Sequence, residues 1–387
     1  MKIAILGTRG VPPRYGGFET FAAELGTRLI ARGHQVSVYC RPALPSTSDG
    51  PAGSDTGADG TFWNGIERIV VPAAMGSKYL ETVSHTFFSA IDAIRRGFDA
   101  VLLCNAANAF VLPLLRTMRI PVAINVDGIE RNRRKWNALG RSVYAIGESF
   151  SVVFANKVVA DADVIAGYYR RSYGIETATI PYGAEFPAEE DSDVLKRLAL
   201  TPRGYILYVS RFEPENNPLE VVRAYETLRS GRAADRAADR SIVEPLVMLG
   251  QGLYAPDLVA ELRRHESGSV LFPGALYGVD YRTLQRNALV YIQATEVGGT
   301  HPALIEGMAS GGCVLALGTP ENREVGGDAI GYFRLGPSET LSGMLRECLE
   351  SEERRETMRK AARRRAAEKY GWDGVCDAYE KLLLSLV

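Results

Sequence analysis

Short apolar runs that close on turn-forming residues recur along this chain, and most are followed by helical spacing. This alternation constrains the fold more than any other feature. Lys2–Leu6 is apolar after its first residue and ends at Gly7. Phe18–Arg32 then places Phe18, Phe21, Leu25 and Leu29 on one helical face before Gly33 stops it, and Gln35–Tyr39 is apolar again. Strand, loop, helix and strand in that order form a βαβ unit, whose crossover dictates parallel pairing. Ile69–Val71, Ala100–Cys104, Pro121–Val126, Lys157–Ala160, Val164–Ala166 and Thr177–Ile180 read as further strands, and Lys78–Arg96 and Ala109–Thr117 as helices. The pattern lapses in the polar stretch Ala43–Phe62, which reads as a surface loop, and again at Pro181–Pro187 and Glu189–Asp193. It then restarts. Tyr205–Val209, Pro245–Leu249, Val270–Phe272, Val290–Ile292 and Val314–Ala316 read as strands, with helices over Pro218–Leu228, Ala255–His265 and Ala303–Ala309.

Two α/β halves in tandem follow, and the length agrees: 387 residues make two domains at roughly 150 residues each. The expected division is a first domain over residues 1–185 and a second over 186–369. The final helical stretch, broken at Tyr370-Gly371-Trp372, is expected to return to the first domain over about residues 370–387. Ligands of open parallel sheets bind beyond the carboxyl ends of the strands, so the expected site is a cleft that both sheets face. A net charge of −1 provides no field for nucleic acid. Five cysteines without a C-x-x-C pair argue against a disulfide framework or structural zinc, and point to a reducing, cytoplasmic compartment. No apolar run reaches the roughly 18 residues of a spanning helix, so membrane contact is expected to be peripheral, at the inner face.

Four segments carry chemistry. Gly7–Gly17 joins the first strand to the first helix, where glycines let backbone approach a ligand and helix amides suit a phosphate; the same glycines also suit a plain tight turn. Asp127, in Asn125-Val126-Asp127-Gly128, stands at a strand end; it reads either as a group for a sugar hydroxyl or developing positive charge, or as an Asx turn. Arg211 follows Tyr205–Val209 and reads as a fork for a diphosphate, or as a surface partner of Glu213 or Glu215. The fourth segment, Thr295–Glu306, combines the pair Gly298-Gly299, Thr300 as a cap, His301, Pro302 at a helix start and Glu306 one turn in, where a carboxylate can hold a ribose diol. Arg131, Arg133, Arg134, Lys135 and Trp136 form a basic cluster with an aromatic edge, read either as a solvated face or as a contact for a lipid diphosphate or an anionic membrane. Asp161-Ala162-Asp163 has the form of a metal-binding D-x-D, but it precedes an apolar run and no metal is assigned to it.

Taken together, Gly7–Thr20, Asn125–Trp136, Arg211–Asn217 and Val297–Glu324, with Thr319-Pro320-Glu321-Asn322-Arg323-Glu324, resemble family 4 of the glycosyltransferases, the retaining enzymes of GT-B fold. The resemblance spans nearly the whole chain and is nearest to a bacterial branch that includes rhamnosyltransferases of surface-polysaccharide assembly. It implies an α/β fold of two Rossmann-like domains whose parallel sheets face an interdomain cleft. It also implies transfer of a sugar from a nucleoside-diphosphate donor, with a deoxythymidine diphosphate and rhamnose suggested by the branch, to a glycan or lipid-linked acceptor. By the family's pattern, Gly16 and Gly17 match the glycine pair on the donor phosphate. Arg211 matches the diphosphate arginine, and Asn217 stands where a lysine is usual. Glu306 matches the second of two glutamates, while Gly298 stands where the first is usual, with Glu296 two positions earlier. Asp127 stands where a catalytic-region histidine is usual, so Asp127 and Arg211 are the expected catalytic pair. Gly299, Thr300 and His301 complete the expected donor set. Arg14, Tyr15 and Arg131 are expected on the acceptor side, and Phe272–Tyr277 is the expected base pocket. The scheme uses neither metal nor cofactor.

Asn217 and Gly298 remove charges the family usually has, which keeps a non-catalytic nucleotide-sugar-binding subunit as an alternative. A nucleotide-sugar epimerase on the same fold is a second alternative, short of acid–base groups. A nicotinamide oxidoreductase is disfavoured, because the glycine spacing is not that of the dinucleotide fingerprint.

Overall fold

The computed structural model describes residues 1–13, 16–42, 61–74, 78–133, 136–186, 192–234, 244–252, 255–336 and 340–387. They divide into two compact units. The first comprises Met1–Asn132, Trp136–Gly183 and Trp372–Val387; the second comprises Ala184–Gly371 together with Arg133–Lys135.

The first unit is built on eight strands: β1 (Lys2–Leu6), β2 (Gln35–Cys40), β3 (Phe62–Trp63), β4 (Ile66–Val70), β5 (Ala100–Cys104), β6 (Val122–Asn125), β7 (Lys157–Ala160) and β8 (Ala178–Thr179). Their order is β3-β4-β2-β1-β5-β6-β7-β8, parallel throughout except for the β3–β4 hairpin at one edge. The central strands are apolar on both faces because helices cover both, the expected signature of a parallel sheet. Those helices are α1 (Gly17–Ala31), α2 (Lys78–Arg96), α3 (Leu112–Thr117), α4 (Ala138–Phe154) and α5 (Asp163–Tyr173). The apolar run Val164–Ala166, expected as a strand, lies inside α5. A short apolar run does not distinguish strand from helix. Here Ile165, Ala166 and Tyr169 are buried on one helical face, and Gly174 closes the helix in the left-handed conformation. The expected helix Ala109–Thr117 is a 3₁₀ segment, Ala106–Val111, that passes into α3.

The second unit holds β9 (Ile206–Val209), β10 (Leu246–Leu249), β11 (Val270–Gly274), β12 (Val290–Gln293), β13 (Val314–Leu317) and β14 (Gly331–Phe333). Its helices are α6 (Val194–Arg197), α7 (Pro218–Ala234), α8 (Pro256–Arg263), α9 (Gly278–Asn287), α10 (Pro302–Ala309), α11 (Pro320–Gly326), α12 (Leu341–Glu350) and α13 (Glu352–Lys369). The six-stranded, all-parallel order β11-β10-β9-β12-β13-β14 is the doubly wound arrangement, and its strand order reverses between β9 and β12.

The helix α14 (Trp372–Leu384) belongs to the first unit and packs on α1. Phe21 of α1 meets Tyr379 edge-on at 5.1 Å and Tyr182 at 5.7 Å. Arg32 pairs with Asp377 at 2.6 Å and with Glu380 at 2.7 Å. Gly183 lies beneath the Trp372 indole, where any side chain would overlap the ring.

Candidate functional site

In doubly wound sheets a crevice opens where strand order reverses, because the loops after the two flanking strands depart to opposite faces. In the second unit those loops follow β9 and β12, and they carry most of the expected donor residues. Arg211 is the second residue beyond β9, half exposed, with Nη1 3.8 Å from Glu213 Oε1. Glu213 and Glu215 are buried. Arg133, also buried, lies 3.8 Å from Glu213 and 3.4 Å from Glu215. Arg133 was expected in a solvent-facing basic cluster, and the structure corrects this: it is an internal cation of the second unit. Trp136 is buried as well, its ring 5.1 Å from that of Tyr144. Arg134 and Lys135 lie outside the described residues.

The two loops are joined to each other. Glu296 N donates to Glu215 O at 2.9 Å. Asn217, with φ of 53°, donates from Nδ2 to Ala294 O at 2.9 Å and to Glu296 Oε1 at 3.1 Å. The amide that stands in place of the usual lysine therefore spends both donor hydrogens holding the loops together. Asn322, in Thr319–Glu324, ties the loop after β12 to the end of β13 through donation to Thr295 O at 3.1 Å and Leu317 O at 2.9 Å. That brace is fully buried, and the sequence signalled it only as a telling motif.

Gly298 has a local explanation. A Cβ there would overlap the His301 imidazole, so glycine at 298 is the condition for the ring's position. His301 is the N-cap of α10, a place expected for Thr300, and Pro302 follows at the first helical position as expected. The His301 Nε2 is buried with no hydrogen-bond partner among the described residues. Burial, then the nearby cations Arg133 and Arg211, lower its pKa to about 3, so the ring is neutral at ordinary pH. The first turn of α10 contains no acid. Its Leu304 and Ile305 amides both turn back to His301 O. Glu306, one turn in, accepts from Tyr281 OH at 2.6 Å, and Gln285 Nε2 donates to the same hydroxyl at 2.7 Å. Tyr281 thus fixes the Glu306 carboxylate. It lies on α9, a helix the apolar spacing did not reveal. Of the expected base pocket, Phe272 is a core residue, packed edge-on against Phe212 at 6.1 Å, while Tyr277 is exposed.

The first unit's strand order reverses between β1 and β5, and the loop after β1 is closely packed. Gly7, with φ of 87°, lies against the Cys104 backbone at the end of β5, and Gly10, with φ of 116°, lies against Cys40. Gly16 caps α1 and Gly17 is its first residue. Glu19, buried in that first turn, accepts from Arg9 N at 2.9 Å, and burial raises its pKa. This carboxylate already faces the positive end of α1, and the glycine pattern did not foretell it. Arg14 and Tyr15 lie outside the described residues. Asp127, with φ of 58°, completes an Asx turn in which Asn125 Oδ1 accepts its N–H at 2.9 Å. Its own carboxylate accepts from buried Tyr182 OH at 3.3 Å. Asn125 Nδ2 donates to Tyr379 OH at 2.7 Å, so α14 helps hold the turn. Arg131 is half buried, 3.6 Å from Glu148 and hydrogen-bonded to Tyr168 OH. Asp163 opens α5, and among the described residues no group of three His, Cys, Asp or Glu side chains could hold a metal ion.

Residues 16–183 match the family model described as a glycosyl transferase 4-like domain, and residues 193–365 match that described as glycosyl transferases group 1. No curated protein sequence matches the chain significantly. Among solved structures, sucrose-phosphate synthase from Thermosynechococcus elongatus is similar at TM-score 0.78 and 17% identity, over 100% of this chain and 98% of that one. HepE of Anabaena, in complex with UDP and glucose, is similar at TM-score 0.76 and 16% identity over 100% of both chains. An α,α-trehalose-phosphate synthase (UDP-forming) from Burkholderia vietnamiensis is similar at TM-score 0.69 and 10% identity over 99% of both. At these identities the likeness establishes the fold, a two-domain α/β architecture with parallel sheets of GT-B type.

Proposed function

We propose that this chain, a glycosyltransferase built from a glycosyl transferase 4-like domain and a group 1 domain, moves a hexose or deoxyhexose, with rhamnose suggested by the resemblance, from a nucleoside-diphosphate donor to a glycan or lipid-linked acceptor with retention of configuration. One observation carries the reading. At the strand-order reversal of the second unit, the Arg211 guanidinium, the neutral His301 ring and an acid-free helix start are gathered by side-chain ties that leave little freedom.

The chemistry follows from charge. As the bond between anomeric carbon and diphosphate oxygen breaks, the electron pair leaves on the phosphate and positive charge grows on the sugar. Fixed donors aimed at that phosphate stabilise the separated state more than the ground state. Arg211 and the backbone at the start of α10 supply them, and Glu306, oriented by Tyr281, takes the ribose hydroxyls. The acceptor oxygen bonds to the anomeric carbon on the face the phosphate leaves, and its proton passes to the departing phosphate oxygen. We assign Asp127, turned by its Asx geometry and held by Tyr182, to the developing positive charge. Gly16 and Gly17 are assigned to the donor phosphate, though Glu19 beside them makes this the weaker anion site.

The glycan-assembly role and the rhamnosyl donor rest on the sequence resemblance. The HepE structures contain UDP and UDP-glucose, so uridine and deoxythymidine donors are the pair to compare. A thermal-shift series with both nucleotides and their sugars, with and without magnesium or chelator, makes the comparison directly. A rise in Tm with one diphosphate, insensitive to chelator, supports the donor site and names its base. No rise with any nucleotide, and no donor consumption with acceptor present, would replace the enzyme reading by a non-catalytic subunit. Asp127→Ala is expected to lower turnover and leave the nucleotide-induced shift intact.

A further inference from the structure

The turn that leads into α10 holds a glycine and a histidine that are explained only together. The backbone at Gly298 lies outside the left-handed region, so it does not itself call for glycine. The obstacle to a side chain there is a ring. A Cβ at 298 would lie 2.3 Å from His301 Cε1, 2.9 Å from Nδ1 and 3.2 Å from Nε2, the three nearest atoms beyond its chain neighbours. The imidazole therefore fills the space that a side chain at 298 would enter. By the resemblance, that side chain is usually a glutamate. Glu296, the carboxylate two positions earlier, is engaged elsewhere: its Oε1 accepts from Asn217 Nδ2 in the tie between the loops.

The ring differs from a carboxylate in what it can bond. A carboxylate only accepts and carries charge; a neutral imidazole offers one donor and one acceptor. Burial and the nearby guanidinium groups of Arg133 and Arg211 keep the His301 ring neutral. The residue is only partly buried, and among the described residues neither ring nitrogen has a hydrogen-bond partner. A polar atom held without a partner is an unmade bond that a ligand can complete. A diphosphate, an acceptor at every oxygen, is best met by cations such as Arg211. A hydroxyl, which gives one hydrogen and accepts another, matches the ring instead.

The geometry points to His301 as the residue that selects a hydroxyl of the transferred sugar, its imidazole standing in the place of the side chain that Gly298 lacks. This rests on the donor site proposed above and adds which part of the donor the ring meets. Calorimetric titration of the full chain with UDP and UDP-glucose, and with dTDP and dTDP-rhamnose, tests it. The quantity read is the ratio of sugar-nucleotide affinity to diphosphate affinity, for whichever base the chain binds. His301→Ala is expected to lower that ratio roughly tenfold, the upper range for one lost hydrogen bond, with diphosphate affinity held within about twofold. Gly298→Glu/His301→Gly returns a carboxylate to the vacated space and is expected to bring the ratio back to within about threefold of wild type. Unchanged circular dichroism would show that both variants are folded. The inference is overturned if His301→Ala leaves the ratio as in the wild type, or weakens diphosphate and sugar nucleotide alike. It is equally overturned if the folded exchange variant stays as low as His301→Ala. In each of these outcomes the diphosphate still binds the wild type. Failure of the wild type to bind any of the four ligands is a different result, which removes the donor-site reading and this inference with it.

Discussion

Each unit has a point where strand order reverses and a glycine-bearing loop leads into a helix, yet the two points differ in what they offer. In the first unit, Gly7 and Gly10 are packed against neighbouring backbone and Cys40, and α1 starts with its own carboxylate, Glu19. In the second unit, loops of similar length are tied to each other by side chains, α10 starts without an acid, and Arg211 and His301 remain there. The same topology therefore yields a closely packed, acid-bearing joint in one place and, by the assignment proposed above, the stronger anion site in the other. Topology says where a site can form; side chains at the helix start decide whether it does.

Substitutions at matched glycines test that contrast. Gly7→Ala is expected to have the largest effect, because it adds a side chain at positive φ against backbone that cannot move. A loss of about 2–5 kcal/mol in a denaturant titration is the expected size, from strain and overpacking together. A loss below about 1 kcal/mol would show that the first joint has slack. Gly298→Ala meets a ring rather than backbone, so about 1–3 kcal/mol is expected, with weakened nucleotide binding. The double change Gly298→Ala/His301→Ala should recover most of the stability. Failure to recover would mean that the glycine serves something other than the imidazole.

A smaller effect separates the two helix starts. Arg211→Ala is expected to weaken nucleotide-diphosphate binding roughly 10- to 100-fold, the range for losing charge-assisted hydrogen bonds. Glu19→Gln should leave it within about twofold if phosphate goes to the second unit alone. Equal losses in calorimetric titration would erase the distinction drawn here. A pH slope is a further expected signal. The His301 pKa is lowered from its ordinary value to about 3, so the unfolded chain binds the additional proton first as pH falls. Its contribution is complete above about pH 6.5 and declines toward pH 3. His301→Asn should flatten stability over that interval, and an unchanged slope would show that the ring is solvated.

The α/β class and most strands were legible because buried parallel strands are apolar on both faces. Lys157–Ala160 is expected and found with the same bounds. Val164–Ala166 failed because three apolar residues carry no period. The helix α4 escaped notice because its buried side is glycine and serine and its exposed side is apolar, which inverts the usual pattern. At the site, glycines and strand-end charges were visible one by one. The Asn217 tie and the Tyr281 hold on Glu306 were not, since each joins residues on different elements, and the pairing of Gly298 with His301 was not, since spacing does not show where a ring lies. Arg133 was misread for the same reason: in sequence it sits in a run of basic residues, and only its carboxylate partners, some 80 positions later, show its place.

The membership of α14 in the first unit also bears on how the protein is made. The chain completes most of the first unit, then all of the second, and only then produces the residues that cover Phe21 and bond Asn125. During synthesis the first unit therefore waits with an uncovered aromatic surface while the second emerges. The Asp127 turn, which Asn125 and Tyr379 share, acquires its final hydrogen bond last. Vectorial synthesis thus delays completion of the turn that bears Asp127 until the whole second unit has been made.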